Sequence, residues 1–590
     1  MRLVFDIESN GLLDEMDKIW SIVIHNIDTK QTFSFDPSGI DDAVKMLQNA
    51  DVIIGHNILG FDIPAIVKIF PRFNIPPYVD TLICSRLIWS DIKENDFKFQ
   101  RKTTSFPSRL IGKHSLEAWG YRLHLLKGDY AQTNDFSSWS PELQLYCERD
   151  VAVTLKLYQK ISEKNYSLQA MTLEHCFAQI IENQTQVGFP FDVEAAQRLY
   201  ADLVKKRLSL EEKLQEDFPP KQNKTIFVPK VNNKSKGYVK GQAFEKVETV
   251  LFNPNSRHHI GERLLEKYNW KPKEFTANGQ PKIDDSILAE LDIPEAKTLG
   301  EYLLIQKRIA QLAEGNQGLL KVVKDDRIFH NCITNGTPSG RMRHFGINIS
   351  QIPSVSVPYG REFRSLFIAP DGYKLVGCDA SGIELRCLGH YLHPFDSGAF
   401  INELLRGDIH EKNRKDLGLE KRSDAKRWAY CLIYGGGDAR LGETIGVSAQ
   451  EGKKLKNKFF KANPAFKILR DRVQEKAKTG FLNGLDGRLL PVRAAHIALN
   501  LLLQSAASLI VKQATIFLHE NLEKQGLTYG EDFVMVAHIH DEMQMLVKEQ
   551  YAETLGGQAV QSIRNTTEHF KFRCPLEGEY KIGNNWSETH

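Results

Sequence analysis

The chain carries no strong excess of charge, no paired cysteines, no uninterrupted apolar run and no internal repeat. A formal charge of +3 over 590 residues means that any nucleic-acid-binding surface must be local, because bulk charge does not supply one. The eight cysteines are scattered and none stands in a CxxC pair. They read as small core residues of a reducing compartment, with neither a disulfide framework nor a thiolate metal site announced by spacing. The start, MRLVFDIESNG, lacks a charged segment followed by a long apolar one, so no signal peptide is expected. The most apolar stretch, Ile497 to Leu518, is broken by Asn500, Gln504, Ser505, Ser508, Lys512 and Gln513. That pattern predicts a buried helix rather than a membrane span. Repeats and low-complexity tracts are absent, which excludes a solenoid. The expectation is a soluble, cytoplasmic protein with no membrane partner.

What is present is length and ordinary globular composition, 42% apolar with charges of both signs. Single cores stop growing at roughly 250–300 residues, so two to four units are expected. The first ~165 residues alternate β-rich runs (LVFDI, WSIVI, DVIIG) with helical patterns (PELQLYCERDVAVTLKLY), which predicts an α/β domain. A helix is predicted from Asp192 to about Asp217, ended by Pro219-Pro220. Lys221 to Lys246 is lysine-rich and glycine-dotted, and reads as a solvated loop or a contact for DNA or a partner. Helical patterning returns near Ser256 and from Leu299 to Ala313. Beyond residue 330 come a strand KLVGCD, several helices and a hairpin formed by VMVAHIH and MQMLV. Lys453 to Lys478 holds ten Lys/Arg against Asp471 and Glu475, a predicted helical pair with a basic face.

Two groups of residues carry chemistry. Asp6 and Glu8 are two apart in a strand, so both carboxylates share one face of the sheet edge. Asp62 stands at a turn entering a helix, and Tyr146 and Asp150 lie one turn apart on a helix face. Four carboxylates could hold two Mg²⁺ ions, a pair able to activate water against a phosphodiester, with Tyr146 orienting the water. The set Asp6-Ile7-Glu8, Asp62 after His56-Asn57, and Tyr146-x₃-Asp150 resembles the DEDDy 3′–5′ exonucleases over about Met1 to Tyr158, with all five positions kept.

In the second group, KLVGCDASGIELRCLGH delivers Asp379 at a strand end, where a metal and a triphosphate can approach. His540-Asp541-Glu542 sits at or beside a tight turn between two apolar strands, which would fix Asp541 rigidly. In KRSDAKRWAYCLIYGGGD, Arg422, Lys426, Tyr430 and Tyr434 recur every four residues along one helix face. Ser423 or Asp424 is expected to start this helix and Gly435-Gly436-Gly437 to end it. A cationic stripe running into aromatic rings suits a nucleoside triphosphate.

These segments, with LLLQSA, HDE and the ending GNNWSETH, resemble in order the motifs of family A (Pol I-like) DNA polymerases, of the type found in T-odd podoviral phages. The resemblance implies an α+β multidomain fold: a ribonuclease H-like exonuclease domain (1–165), then a right-hand polymerase (166–590). Its thumb would span ~190–330, its palm ~331–400 and ~486–590, and its fingers ~401–485. It implies that Asp379 and Asp541, with the Ala380 backbone, ligate two Mg²⁺, for which Mn²⁺ could substitute. Arg422 and Lys426 would bind the β- and γ-phosphates with His410 nearby, Tyr430 would pack on the sugar and favour dideoxynucleotide acceptance, and Tyr434 would also bind the dNTP. Glu384 would be the gate that excludes a ribose 2′-hydroxyl, and Glu542 a supporting acid. Arg341, Gln504 and His540 would touch DNA, the first two in the minor groove, where acceptors are shared by every correct base pair.

The partners implied are primer-template DNA, dNTPs, a primase-helicase contacted by Trp586 to His590, and a single-stranded DNA-binding protein. Polymerases of this type often clasp host thioredoxin with a long thumb insertion. Here the corresponding segment, Phe218 to Asn253, is basic but short, so a reduced clasp, another partner or none are all open. No 5′-nuclease domain is expected ahead of the exonuclease. A single-subunit RNA polymerase would share the palm, but Glu384 and the exonuclease set argue against it. A nuclease with a degenerate polymerase body would lack one of Asp379, Asp541 or Lys426. A DNA-binding scaffold would have no use for two carboxylate sets.

Overall fold

The computed structural model describes residues 1–101, 106–125, 136–272, 274–276, 278–279 and 281–589. The chain divides into two compact units, one of Met1–Phe189, His330–Gln351 and Ala369–His590, the other of Pro190–Phe329 and Ile352–Ile368.

The first unit begins with a five-stranded sheet of β1 (Arg2–Ser9), β2 (Ile19–Asn26), β3 (Thr32–Phe35), β4 (Val52–Gly55) and β5 (Tyr78–Asp80), in the order β3-β2-β1-β4-β5. Strand β1 pairs antiparallel with β2 and parallel with β4. Leu3, Phe5 and Ile7 pack on one face with the buried side of α1 (Ile40–Gln48) and with Ile63 and Ile66 of α2 (Asp62–Ile69). The alternate residue Val4 packs on the other face with Cys147 and Val151 of the long helix α4 (Pro141–Ser162). A shorter helix, α3 (Thr81–Ile88), follows β5 directly. Period-two alternation therefore turns Asp6 and Glu8 toward α4. They belong to a central strand rather than to the sheet edge expected from sequence.

Helix α5 (Leu168–Val187) leads on from this layer, and its Leu173, Phe177, Ile180 and Ile181 enter the large core around the second sheet.

The second unit opens with α6 (Val193–Asp217), where the Asp192 side chain accepts from the Ala195 N–H at 2.8 Å. Contrary to the loop expected over Lys221 to Lys246, β6 (Lys221–Phe227) and β7 (Phe244–Val250) form an antiparallel ribbon, with Lys221 opposite Val250 and Phe227 opposite Phe244. The alternation KTIF and FEKVETV is β-compatible, but lysine content masks it in a reading by polarity. Phe218 and Phe252, ring centroids 4.7 Å apart, close its base. Helices α7 (Arg257–Tyr268) and α8 (Pro294–Ile309) complete the core of this unit with Leu214, Phe218 and Phe252, and α8 runs on into one π turn over Ala310–Glu314.

The remainder of the first unit carries a short hairpin, β8 (Asn331–Ile333) and β9 (Arg343–Phe345). Its second sheet comprises β10 (Tyr373–Ala380), β11 (Phe533–Ile539), β12 (Glu542–Lys548) and β13 (Gly578–Gly583), ordered β11-β12-β10-β13 and wholly antiparallel. Between β10 and β11 the chain forms α9 (Ile383–Asp396), α10 (Ile409–Leu417), α11 (Arg422–Ile433), the basic pair α12 (Ala449–Ala462) and α13 (Pro464–Ala477), and α14 (Ala498–Lys524); α15 (Ala552–His569) precedes β13. Helix α14 is long and apolar enough to cross a membrane by composition, yet 78% of that stretch is buried. It is a core helix, as its polar interruptions predicted.

Helix α11 starts at Arg422 with Lys421 at its N-cap and no side-chain cap, so neither Ser423 nor Asp424 performs the expected capping. Asp424 instead pairs with Arg427 at 2.6 Å. The C-terminal stretch read as a partner contact is largely packed away. Trp586, Ser587 and Thr589 are buried, Glu588 is exposed, and His590 lies outside the described residues.

Candidate active sites

At the first site, β1, α2 and α4 converge. One ligand atom each of Asp6, Glu8 and Cys147 lie within 4.8 Å of one another. The Cys147 thiol donates to the Asp6 backbone carbonyl at 3.3 Å. Asp62, the first residue of α2, accepts from the Ile7 N–H at 3.3 Å, which ties it to the residue between the two strand carboxylates. Tyr146 and Asp150 are both buried on α4.

Burial pushes the Asp62 carboxyl well above the ordinary carboxylate range, and the charges of Asp80 and Asp150 push it further. Carboxylates crowded until one resists ionisation are a set that a divalent cation would relieve, and hard oxygen donors suit Mg²⁺. Asp80 escaped the sequence reading. It is buried and accepts from the N–H groups of Asn57, Leu59 and Leu82, so it fixes the loop that presents Asp62. Its helix-capping place before Thr81 was the available signal.

At the second site, strand register does the positioning. Asp379, near the end of β10, lies opposite Glu542, the first residue of β12. The Ala380 N–H donates to the Asp541 carbonyl at 3.2 Å, so the backbone next to one aspartate is bonded to the other. The turn between β11 and β12 holds only two residues, and His540 takes a left-handed φ of 57° in it. Asp379 is exposed. Burial raises the Asp541 carboxyl, with a further push from Glu384 and opposition from His540 and Arg341. Glu542 is buried and accepts from Gln544 Nε2 at 2.6 Å and Trp586 Nε1 at 2.7 Å. The buried Trp586 is thus a brace of this turn.

Helix α11 brings Tyr430 into the same field: burial raises its phenol, as do the charges of Glu384 and Asp541. The Tyr430 ring stands 6.0 Å from His410 and 6.0 Å from Tyr434. Glu384 is held from two sides, by Arg341 Nη2 at 3.0 Å and the Tyr434 hydroxyl at 2.6 Å. Arg341, expected on DNA, is therefore engaged with Glu384 in this structure. Lys426 is exposed, Gln504 half-buried on α14.

Arg422, expected on the triphosphate, grips Asp408 with its guanidinium at 2.7 and 3.0 Å. That pair, with N–H donors from Glu411 and His410, holds the Asp408 carboxyl down to about 2. Asp408 also went unread in the sequence, although Asp408-x-x-Glu411 is a helix-start pattern and its side chain does cap α10.

A sheet delivering two aspartates beside a cationic, aromatic helix, in a chain with a separate acidic α/β site, fits the class of nucleotidyltransferases that carry a nuclease-like domain. The model of DNA polymerase family A matches residues 230–588, and that of the RNase H superfamily matches residues 3–162. The chain belongs to DNA polymerase family A, with an RNase H-like domain at its N-terminal side. It is 35% identical to the DNA-directed DNA polymerases of Enterobacteria phage T3 and Escherichia phage T7, over 100% of this chain and of each relative. A solved structure described as the POL domain of Pol1 from M. smegmatis with DNA primer-template and dNTP shares the fold. Its TM-score is 0.74 at 17% identity, covering 99% of this chain and 95% of that one.

Proposed function

We propose that this DNA-directed DNA polymerase is replicative, adding deoxynucleotides to a primer 3′-hydroxyl at Asp379 and Asp541 and editing at Asp6, Glu8, Asp62 and Asp150. The observation that carries the reading is the register that sets Asp379 opposite Glu542 with Ala380 bonded to Asp541. Two Mg²⁺ ions, or Mn²⁺ in their place, would supply hydroxyl activation and charge neutralisation at each site when bound. The protein's own part is placement. Lys426 and Arg422, once Arg422 leaves Asp408, meet the β- and γ-phosphates with His410 beside them. Tyr430 packs on the sugar. Glu384, fixed by Arg341 and Tyr434, fills the space of a 2′-hydroxyl. Gln504, His540 and Arg341, which keeps N–H donors beyond the one given to Glu384, contact the primer-template. At the editing site Tyr146 orients the attacking water.

We assign residues 1–165 to the exonuclease, ~190–330 to the thumb, ~331–400 and ~486–590 to the palm and ~401–485 to the fingers. Exposed Lys224, Lys230, Lys234, Lys236, Lys240 and Lys246 on and around the ribbon, with exposed Ile226, Val231 and Val247, support contact with DNA or a processivity partner. Thioredoxin is one partner to test there. A primase-helicase and a single-stranded DNA-binding protein belong to the same replication setting, which would be the cytoplasm of a bacterial host.

The test is a primed template with Mg²⁺ and either dNTPs or rNTPs. Extension with dNTPs alone, and primer degradation when nucleotides are withheld, is the expected result. Extension that survives Asp379→Ala would overturn the mechanism. Repeating the assay on long templates with and without thioredoxin decides whether the ribbon takes that partner.

A further inference from the structure

Hairpin β8–β9 gathers three soft donors that neither acidic site uses. Cys332 and His344 are directly opposed in its register, and the Cys332 sulfur lies 3.1 Å from His344 Nδ1. His330 stands just before β8, two residues ahead of Cys332. Donor atoms of all three lie within 4.8 Å of one another.

The state of His330 is set by a single bond. Its Nε2 lies 2.9 Å from the Val536 carbonyl, which can only accept, so Nε2 carries the hydrogen. The neutral ring then has its lone pair on Nδ1, and Nδ1 is buried with no hydrogen-bond partner among the described residues, on a residue that is 0% exposed. A ring N–H donated to a backbone carbonyl while the other nitrogen waits is the arrangement that orients metal-bound histidines. A thiol–imidazole hydrogen bond would explain Cys332 and His344, but it leaves the buried Nδ1 of His330 unexplained.

We propose that His330, Cys332 and His344 form a site for a borderline-soft transition-metal cation of the zinc class. One sulfur and two imidazoles match that class, and exclude Mg²⁺, which takes oxygen. Three protein donors leave a fourth tetrahedral position for solvent. Burial keeps both imidazoles neutral near pH 7, lowering His330 and bringing His344 to about 4, with His330 and His540 adding to the latter. Burial also raises the Cys332 thiol to about 12, so binding displaces its proton. The cation would tie both strands of the hairpin that carries Arg341 to His330, whose Nε2–H already holds Val536 of β11, the strand that leads into His540 and Asp541.

Cobalt(II) is the probe, added to the full-length protein after chelation and in excess Mg²⁺ to fill the acidic sites. A thiolate-to-cobalt charge-transfer band is expected at one equivalent per chain, displaced by Zn²⁺. Cys332→Ser abolishes it, and His330→Asn weakens binding at least about tenfold. Cys147→Ser leaves the band intact, which separates this site from the cysteine beside Asp6 and Glu8. Circular dichroism identical to wild type shows that each variant is folded. No band in the wild type, or a band lost with Cys147→Ser and kept with Cys332→Ser, overturns the proposal.

Discussion

Glu384 shows how much a single carboxylate depends on its neighbours. Arg341 and Tyr434 grip one oxygen each, so the side chain cannot swing aside for a 2′-hydroxyl without breaking two bonds. Glu384→Ala is expected to relax rejection of ribonucleotides by at least about tenfold, or 1.4 kcal/mol, read as the ratio of kcat/KM for dNTP to that for rNTP. An unchanged ratio would remove Glu384 from the gate. The two acidic sets predict a clean separation. Asp379→Asn should slow extension by several kcal/mol, at least about 10³-fold, while primer degradation continues. Asp62→Ala should do the reverse in the same two assays. Loss of both activities in either variant would contradict two independent sites.

Helix α11 and the β6–β7 ribbon carry the arguments at the scale of elements. The stripe Arg422, Lys426, Tyr430 was legible because helical spacing is a property of sequence alone. The Asp408 clamp on Arg422 was not, since it joins residues fourteen apart at the starts of two different helices. The ribbon was misread for a related reason. Its lysines resemble a solvated loop until the two halves pair, and pairing is non-local. Replacing residues 221–250 with a short Gly/Ser linker keeps Phe218 and Phe252 in the core of their unit. It should lower the number of nucleotides added per binding event. The salt slope of DNA binding should fall by about 0.9 for each phosphate that the ribbon's lysines no longer neutralise. An unaltered slope would mean that the ribbon does not touch DNA.

For the molecule as a whole, a buried ion network in the first unit reaches from the RNase H-like region to the second sheet's surroundings. Glu174 of α5 accepts from Lys512 of α14 at 2.7 Å and from Arg488 at 2.8 Å, and Arg488 also grips Asp486. The same Arg488 reaches Asn335, whose amide donates to the Arg86 carbonyl of α3. Burial would raise the Glu174 carboxyl, but Lys512 and then Arg488 outweigh it and hold it below its ordinary 4.5. Burial lowers the Lys512 ammonium against the pull of Glu174, and the neighbouring Arg488 adds to the fall.

Removing one member leaves uncompensated buried charge, and Glu174→Ala should cost about 3–5 kcal/mol in denaturant unfolding. The sign of the pH effect follows from the depressed carboxyl. Its contribution is fully present above pH 4.5 and is lost as the pH falls through its lower folded value. Glu174→Gln should therefore flatten the acid limb of the stability curve. An acid limb as steep as in the wild type would assign the acid sensitivity to other groups.

Sequence by itself determined what local chemistry can write: the alternation behind Asp6 and Glu8, the helical stripe of α11, the tight turn at or beside Asp541, and the motif order that marks the family. Each depends on residues a few positions apart, where the periods of strand and helix fix direction. Tertiary structure decided the rest. The opposition of Asp379 to Glu542, the Arg341–Glu384–Tyr434 clasp, the Asp408–Arg422 pair, the burial of Trp586 against Glu542, and the meeting of His330 with Cys332 and His344 beside Val536 all depend on register and packing. Those are set by which apolar faces bury together, and composition cannot state that in advance.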